Sequence, residues 1–273
     1  MFAEILQRVR DTRPLIHSIT NYVTVNDCAN ILLACGASPI MADDPEEVEE
    51  ITAGSAGLTL NLGTLHRQRA AAMLAAGRTA NRLGRPVVLD PVGVGASRLR
   101  EEAAAALLEQ VRFAVIRGNG SEIRTLALGQ GGERGVDADE ADRMETGGLD
   151  GAQLWAARLA RRTGAVVAVT GVVDVVTDGT RTFRIRNGHP MMSRVTGTGC
   201  QLSVVAAAFT AASPGTPLEA AAGAVCAMGV CGELAFARMG PEDGNAAYRG
   251  YLMDAMYNLT PEQLEERADY ELR

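Results

Sequence analysis

The segment VTGTGCQL, Val195 to Leu202, holds the residues best suited to chemistry in this chain: two glycines alternate with two threonines, a cysteine follows, and the uncharged run SVVAAAFTAAS comes next. Glycine-rich backbone at the start of a helix offers N–H donors and the positive end of the helix dipole to an anion. Cys200 at its close could be a nucleophile, a metal ligand, a base or a buried thiol. A nucleophilic cysteine needs a histidine to activate it. His17, His66 and His189 are the only candidates, and no acyl-transfer motif accompanies them. A zinc site would need ligand spacing that the cysteines lack. As a base, a thiol at a helix N-terminus has its pKa lowered from roughly 8.5, so some thiolate is expected near neutral pH. Cys28, Cys35, Cys226 and Cys231 lie in apolar surroundings and are expected to be inert.

Further polar residues fall where short β-branched runs end. Met41, Asn61-Leu62-Gly63, Asp90-Pro91, Arg117-Gly118-Asn119 and Thr170-Gly171 occupy five successive strand exits. In an open α/β sheet ligands bind at that end of the strands, so these positions predict a single rim. Each also has an ordinary reading as turn chemistry. Asp90 and Glu122 are hard oxygen ligands suited to Mg²⁺ if they meet there. Arg117 could pair with a phosphate, or equally with a carboxylate of the fold. The GxG fragments at 93–95, 118–120 and 197–199 do not extend to a dinucleotide fingerprint, and no GxxxxGK[ST] is present.

Composition narrows the classes. The formal charge of −7 argues against nucleic-acid and anionic-membrane partners, which need a cationic surface. All 26 cationic residues are arginine, which removes Schiff-base lysines and the P-loop lysine. Five cysteines with no CxxC pair, and a start without a basic-then-apolar signal, lead to the expectation of a reducing cytoplasm. The uncharged run Val195 to Leu218 has membrane length but carries two prolines and several hydroxyls, so a soluble chain is expected.

The elements that must position these residues follow from periodicity. Strands are expected at 37–42, 57–63, 85–91, 112–119 and 164–171. Helices are expected at about 23–35, 45–53, 64–83, 97–110 and 151–163. This alternation predicts an α/β fold: three layers, α/β/α, around a mainly parallel central sheet. Two alternating runs flank Asp178-Gly179 in 173–186, which predicts an antiparallel edge hairpin. The last third reads as helix at 199–212, 217–239, 244–258 and 261–269, with Thr260-Pro261 opening the final one. The polar, glycine-rich stretch 129–148 is read as a surface loop rather than a functional lid. No linker separates domains, so residues 1–273 are expected to form one.

The blocks HSITNYVTVNDCAN (17–30), GASPIMA (36–42), NLGTL (61–65), LDPVGVGAS (89–97), IRGNGSEI (116–123), VTGVVDVVTDG (169–179) and RVTGTGCQLS (194–203) run in one order. Together they resemble the hydroxyethylthiazole kinases, members of the ribokinase-like superfamily that act in thiamine salvage. The resemblance implies a ribokinase-like fold and ATP-dependent phosphorylation of the hydroxyl of 4-methyl-5-(2-hydroxyethyl)thiazole. It also implies a homotrimer with sites between subunits. By the same resemblance Asn21, Met41 and Gly197 fall on the substrate side, and Arg117, Thr170, Asn119 and Gly199 on the ATP side. Asn119 to Glu122 is similar to an NxxE element that organises Mg²⁺ and phosphate, with Asp90 as companion. Cys200 stands where wider relatives carry a catalytic aspartate. Tyr22 departs from the small polar residue expected there. The competing readings are a hydroxymethylpyrimidine kinase of the same fold, a nucleotide-binding protein without catalysis, and a cysteine-dependent hydrolase.

Overall fold

The computed structural model describes residues 1–129 and 148–273, so nearly all of the 129–148 stretch lies outside the described residues. Among the described residues nine strands form one sheet in the order β2-β1-β3-β4-β5-β6-β7-β8-β9. They are β1 Leu15–Ile19, β2 Ser38–Ile40, β3 Gly57–Asn61, β4 Val87–Asp90, β5 Val115–Asn119, β6 Val166–Thr170, β7 Asp174–Thr177, β8 Thr182–Ile185 and β9 Tyr270–Leu272. The first six are parallel, and β7, β8 and β9 are antiparallel.

The described helices divide between the two faces. One face carries α1 Phe2–Thr12, α2 Val25–Cys35, α8 Thr198–Ala212, α9 Pro217–Ala237, α10 Asn245–Asn258 and α11 Pro261–Arg267. The other carries α3 Val48–Ala53, α4 Arg67–Arg82, α5 Arg98–Gln110, α6 Gly120–Leu128 and α7 Leu149–Thr163. The three-layer α/β/α expectation therefore holds. Helix α9 is long and apolar enough to cross a membrane by composition, yet 78% of its most apolar window is buried inside the fold. It is a core helix, and Gly223 in it lets Phe2 and Phe209 approach closely.

Patterning leaves α1, β1, α6 and β9 unassigned, and carries the last helix two residues too far. Helix α1 buries Phe2, Ile5, Leu6 and Val9, an i, i+3, i+4, i+7 stripe that was present in the sequence. Strand β1 is interrupted by His17 and Ser18, which break any apolar run. Both are buried, and His17 is satisfied by Thr52 Oγ1 and the Ala42 carbonyl, each at 2.9 Å. Helix α6 is a short helix set by its cap. The expected helix 261–269 ends at Arg267, and Tyr270–Leu272 instead pairs with β8 as the sheet's last strand. The predicted hairpin is thus β7–β8, one strand in from the edge. Asp178 caps its turn by accepting from Thr180 N and Arg181 N.

Candidate active site

Strand alternation decides which polar residues meet. Val88 and Val115 pack on the α8 face while Leu58, Leu60 and Ile116 pack on the other. Because side chains alternate, Asn61, Asp90, Arg117 and Thr170 all project from strand ends toward α8. The loop after β1 supplies Asn21. These residues and the start of α8 surround a cavity of about 370 Å³.

Helix α8 begins at Gly197, whose φ of 89° lies in the left-handed region that favours glycine. A Cβ there would meet Thr24 Cγ2 at 2.5 Å. No side chain caps this N-terminus, so the first-turn N–H groups remain available to an anion. Gly199 lies directly against the Arg117 guanidinium, where any Cβ would clash. Arg117 Nη2 donates to Thr170 Oγ1 at 2.7 Å, while Nη1 stands 3.7 Å from Asp90 Oδ1. Its Nε is buried without a hydrogen-bond partner. Backbone and guanidinium together form an anion cradle.

Asp90 is fully buried. Its Oδ2 accepts from Asn61 Nδ2 and Ser203 Oγ, both at 2.8 Å, whereas Oδ1 is buried with no hydrogen bond. Burial pushes its pKa up, against the pull of Arg117. Glu122 has a different arrangement. Its Oε1 accepts from Gly93 N at 2.9 Å and its Oε2 from Asn119 N at 2.8 Å, while Asn119 Oδ1 accepts from Glu122 N at 2.9 Å. This is a capping box that also ties down the loop after β4. Among the described residues no group of three or more acidic, histidine or cysteine side chains gathers as a metal cluster. Mg²⁺ bound together with phosphates needs only one or two carboxylates, however, and Asp90 Oδ1, which accepts no hydrogen bond, fits that requirement with Glu122 on the same cavity wall.

Cys200 corrects one sequence expectation. It sits in the first turn of α8, but burial and the charge of Asp90 push its pKa up, not down. The residue is a thiol whose sulfur accepts from Asn61 Nδ2 at 3.2 Å and Asn21 Nδ2 at 3.4 Å. The hydrolase reading loses its base as well. His17 is bonded to Thr52 and Ala42, His66 accepts from Arg69 N as the cap of α4, and His189 stacks on Phe236 with centroids 3.6 Å apart. All five cysteines are free, and burial pushes the Cys28 thiol up to about 12.

Of the ten residues singled out from sequence, nine converge here. Asn21, Asp90, Arg117, Asn119, Glu122, Gly197, Gly199 and Cys200 line the cavity, and Thr170 joins through Arg117. Met41 does not: it follows the outermost strand β2 and packs, partly buried, against the core of the α8 face. Asn21 lines the cavity with its side chain committed internally, its Oδ1 accepting from Val23 N and Thr24 N. Sequence reasoning placed Asn61 on the rim as a strand exit without giving it a role, and it missed Ser203 and Asp174. Ser203 had a signal, since it lies three residues after Cys200 and so shares its helix face. Asp174 accepts from Gly171 N at 2.8 Å beneath the Thr170 turn, and burial raises its pKa to about 6.

The profile of the hydroxyethylthiazole kinase family matches residues 6–262 of the chain. The chain belongs to this family. It is similar to the hydroxyethylthiazole kinase of Clostridium acetobutylicum, 55% identical over 271 residues and 99% of each chain. It is likewise similar to that of Desulfovibrio desulfuricans, 47% identical over 98% of this chain and 97% of the relative. Among solved structures, that of hydroxyethylthiazole kinase from Pyrococcus horikoshii OT3 superposes with a TM-score of 0.88 at 36% identity, covering 100% of this chain and 98% of that one. A ribokinase-like superfamily protein of Enterococcus faecalis V583 superposes at 0.61 with 13% identity over 93% of each chain, a likeness of fold alone. The fold is ribokinase-like.

Proposed function

We propose that the protein transfers the γ-phosphoryl group of ATP to the hydroxyl of 4-methyl-5-(2-hydroxyethyl)thiazole, giving the phosphate ester used in thiamine synthesis. The observation that carries the reaction type is the cradle in which the uncapped start of α8, Arg117 and Asp90 Oδ1, which accepts no hydrogen bond, face one cavity. The family carries the substrate.

Phosphoryl transfer proceeds through a loose transition state, so positioning and charge stabilisation supply most of the acceleration. The first-turn N–H groups of α8 and Arg117 stabilise charge on the transferring group. Arg117 and Thr170 hold the ATP side, with Asn119 and Gly199 shaping it. Asn21 and Gly197 shape the thiazole side. Asp90 would hold Mg²⁺ through Oδ1, with Glu122 as its neighbour. That cation, when bound, would offset the charge on the phosphates. Cys200 is placed as the hydrogen-bonding partner of the acceptor hydroxyl, and its base action is confined to the small ionised fraction that burial permits.

We place residues 1–273 in one domain without a separate lid, a reading supported by the sheet that runs from Leu15 to Leu272. We place the chain in the cytoplasm as a homotrimer with sites between subunits, an assembly supported by Val23, 56% exposed where it lines the cavity, by its neighbour Tyr22, 74% exposed, and by Met41 standing outside its own chain's cavity. Incubation with Mg²⁺, ATP and hydroxyethylthiazole should yield ADP and a thiazole product heavier by one phosphoryl group, and chelating the metal should stop both. ADP release that continues at full rate under chelation would remove the metal from the account.

A further inference from the structure

Asn61 touches both groups on which the chemistry depends. Its Nδ2 donates to Asp90 Oδ2 at 2.8 Å and to Cys200 Sγ at 3.2 Å. Its Oδ1 accepts from Asn21 Nδ2 at 3.0 Å and from Gly63 N at 2.9 Å. The side chain is 1% exposed, and all of its hydrogen-bonding groups are engaged. Rotation of the amide would exchange donor for acceptor and break all four contacts. The orientation is therefore fixed by the fold.

Two consequences follow from this geometry. With Asn61 and Ser203 both donating to Oδ2, the Asp90 carboxylate is held in one rotamer and presents Oδ1, the oxygen without a donor. Cys200 Sγ is held between the Asn61 and Asn21 amides, so its sulfur cannot swing along the cavity wall. One side chain thus sets the separation between the group facing the acceptor hydroxyl and the group facing the phosphates. A displacement of the order of 1 Å between such groups costs about 100-fold in rate.

We infer that Asn61 is the positioning residue of the site, fixing Cys200 and Asp90 relative to one another so that acceptor and phosphoryl donor meet in line. This rests on the kinase reading above. It makes no direct contact with either substrate necessary, so its loss acts on turnover rather than on binding.

The test compares wild type with Asn61→Ala and Asn61→Asp, the latter keeping the size and both acceptor contacts while replacing the donor with a carboxylate oxygen. In each variant that melts as a folded protein, kcat should fall about 100-fold while KM for ATP and for hydroxyethylthiazole stays within about threefold. A kcat within about twofold of wild type in either variant, or a loss confined to KM, overturns the inference.

Alkylation of Cys200 by iodoacetamide, followed on the Cys200 peptide without substrates, supplies a second readout. The other four cysteines are fully buried, so the label reports this thiol. Asn61→Ala should react faster than wild type, since the side chain packed against the sulfur is gone and the access this opens outweighs the loss of a thiolate-stabilising donor. Asn61→Asp should react more slowly, since a second carboxylate beside the sulfur disfavours the reactive thiolate. Faster reaction in both variants would mean general loosening and would overturn the inference. A wild type silent with hydroxyethylthiazole would sink the function reading, and the opposed alkylation rates would then decide the role of Asn61 alone.

Discussion

Cys200 and Asp90 show how burial reshapes groups that sequence can only name. Position in the first turn of a helix favours a thiolate, yet desolvation and the Asp90 charge outweigh it here and the group is a thiol. A carboxylate in the same place would also be pushed up, but from a far lower start, so it would be ionised near pH 7 and serve as the stronger base. Cys200→Asp should therefore match or exceed wild-type kcat. Cys200→Ala should lose about 10- to 100-fold in kcat with little change in thiazole KM, at or below the usual worth of a positioned base. Steady-state kinetics on both variants decide it, and wild-type turnover by Cys200→Ala would leave the glycine turn as the sole contributor. The residue types were legible from the sequence. The network through Asn61 and Ser203 was not, because an Asn near Gly at a strand end and a Ser in a small-residue helix are unremarkable until the tertiary fold sets them 2.8 Å from a buried carboxylate.

At the scale of elements, the glycine turns carry the site. Gly197 has both a positive φ and Thr24 against it, so Gly197→Ala must strain the backbone and displace the start of α8. Its expected cost is about 1–3 kcal/mol, read as a lower denaturant midpoint, with turnover lost to a greater degree than stability. The turn between β6 and β7 depends on Asp174, which faces Arg117 and lies near Cys226 of α9. Its folded pKa of about 6 exceeds the ordinary 3.8, so ionising it costs the fold. That cost is absent below about pH 4, grows as pH rises, and is complete above pH 6. Asp174→Asn keeps an acceptor for Gly171 N and removes the cost, so its melting temperature should exceed wild type at pH 7.5 and converge with it near pH 4. A constant difference across that range would contradict the assignment. The parallel strands after the first were legible because continuous β-branched runs alternate with amphipathic helices. Strand β1 was hidden by His17 and Ser18, whose polarity is satisfied or enclosed only after β3 and α3 pack around them.

For the molecule as a whole, sheet order explains why the rim forms as it does. Inserting β1 between β2 and β3 brings Asn21 beside Asn61 and pushes Met41 to the sheet's edge. The five strand exits named from sequence therefore contribute four members to the cavity network, and the missed strand contributes the fifth. Order in the sheet is a long-range property that local periodicity does not carry. The family resemblance, in contrast, was legible throughout, since its blocks span both the phosphate end and the thiazole end of the rim. The central claim joins those two ends: this site phosphorylates a hydroxyethylthiazole and discriminates it from other small alcohols. The most direct measurement is ADP release with Mg²⁺ and ATP, comparing hydroxyethylthiazole, hydroxymethylpyrimidine and no acceptor. The account predicts turnover that depends on the thiazole and stays near background with the other two. Turnover with the pyrimidine and silence with the thiazole would contradict the substrate assignment, and silence with both would return the protein to a nucleotide-binding role without catalysis.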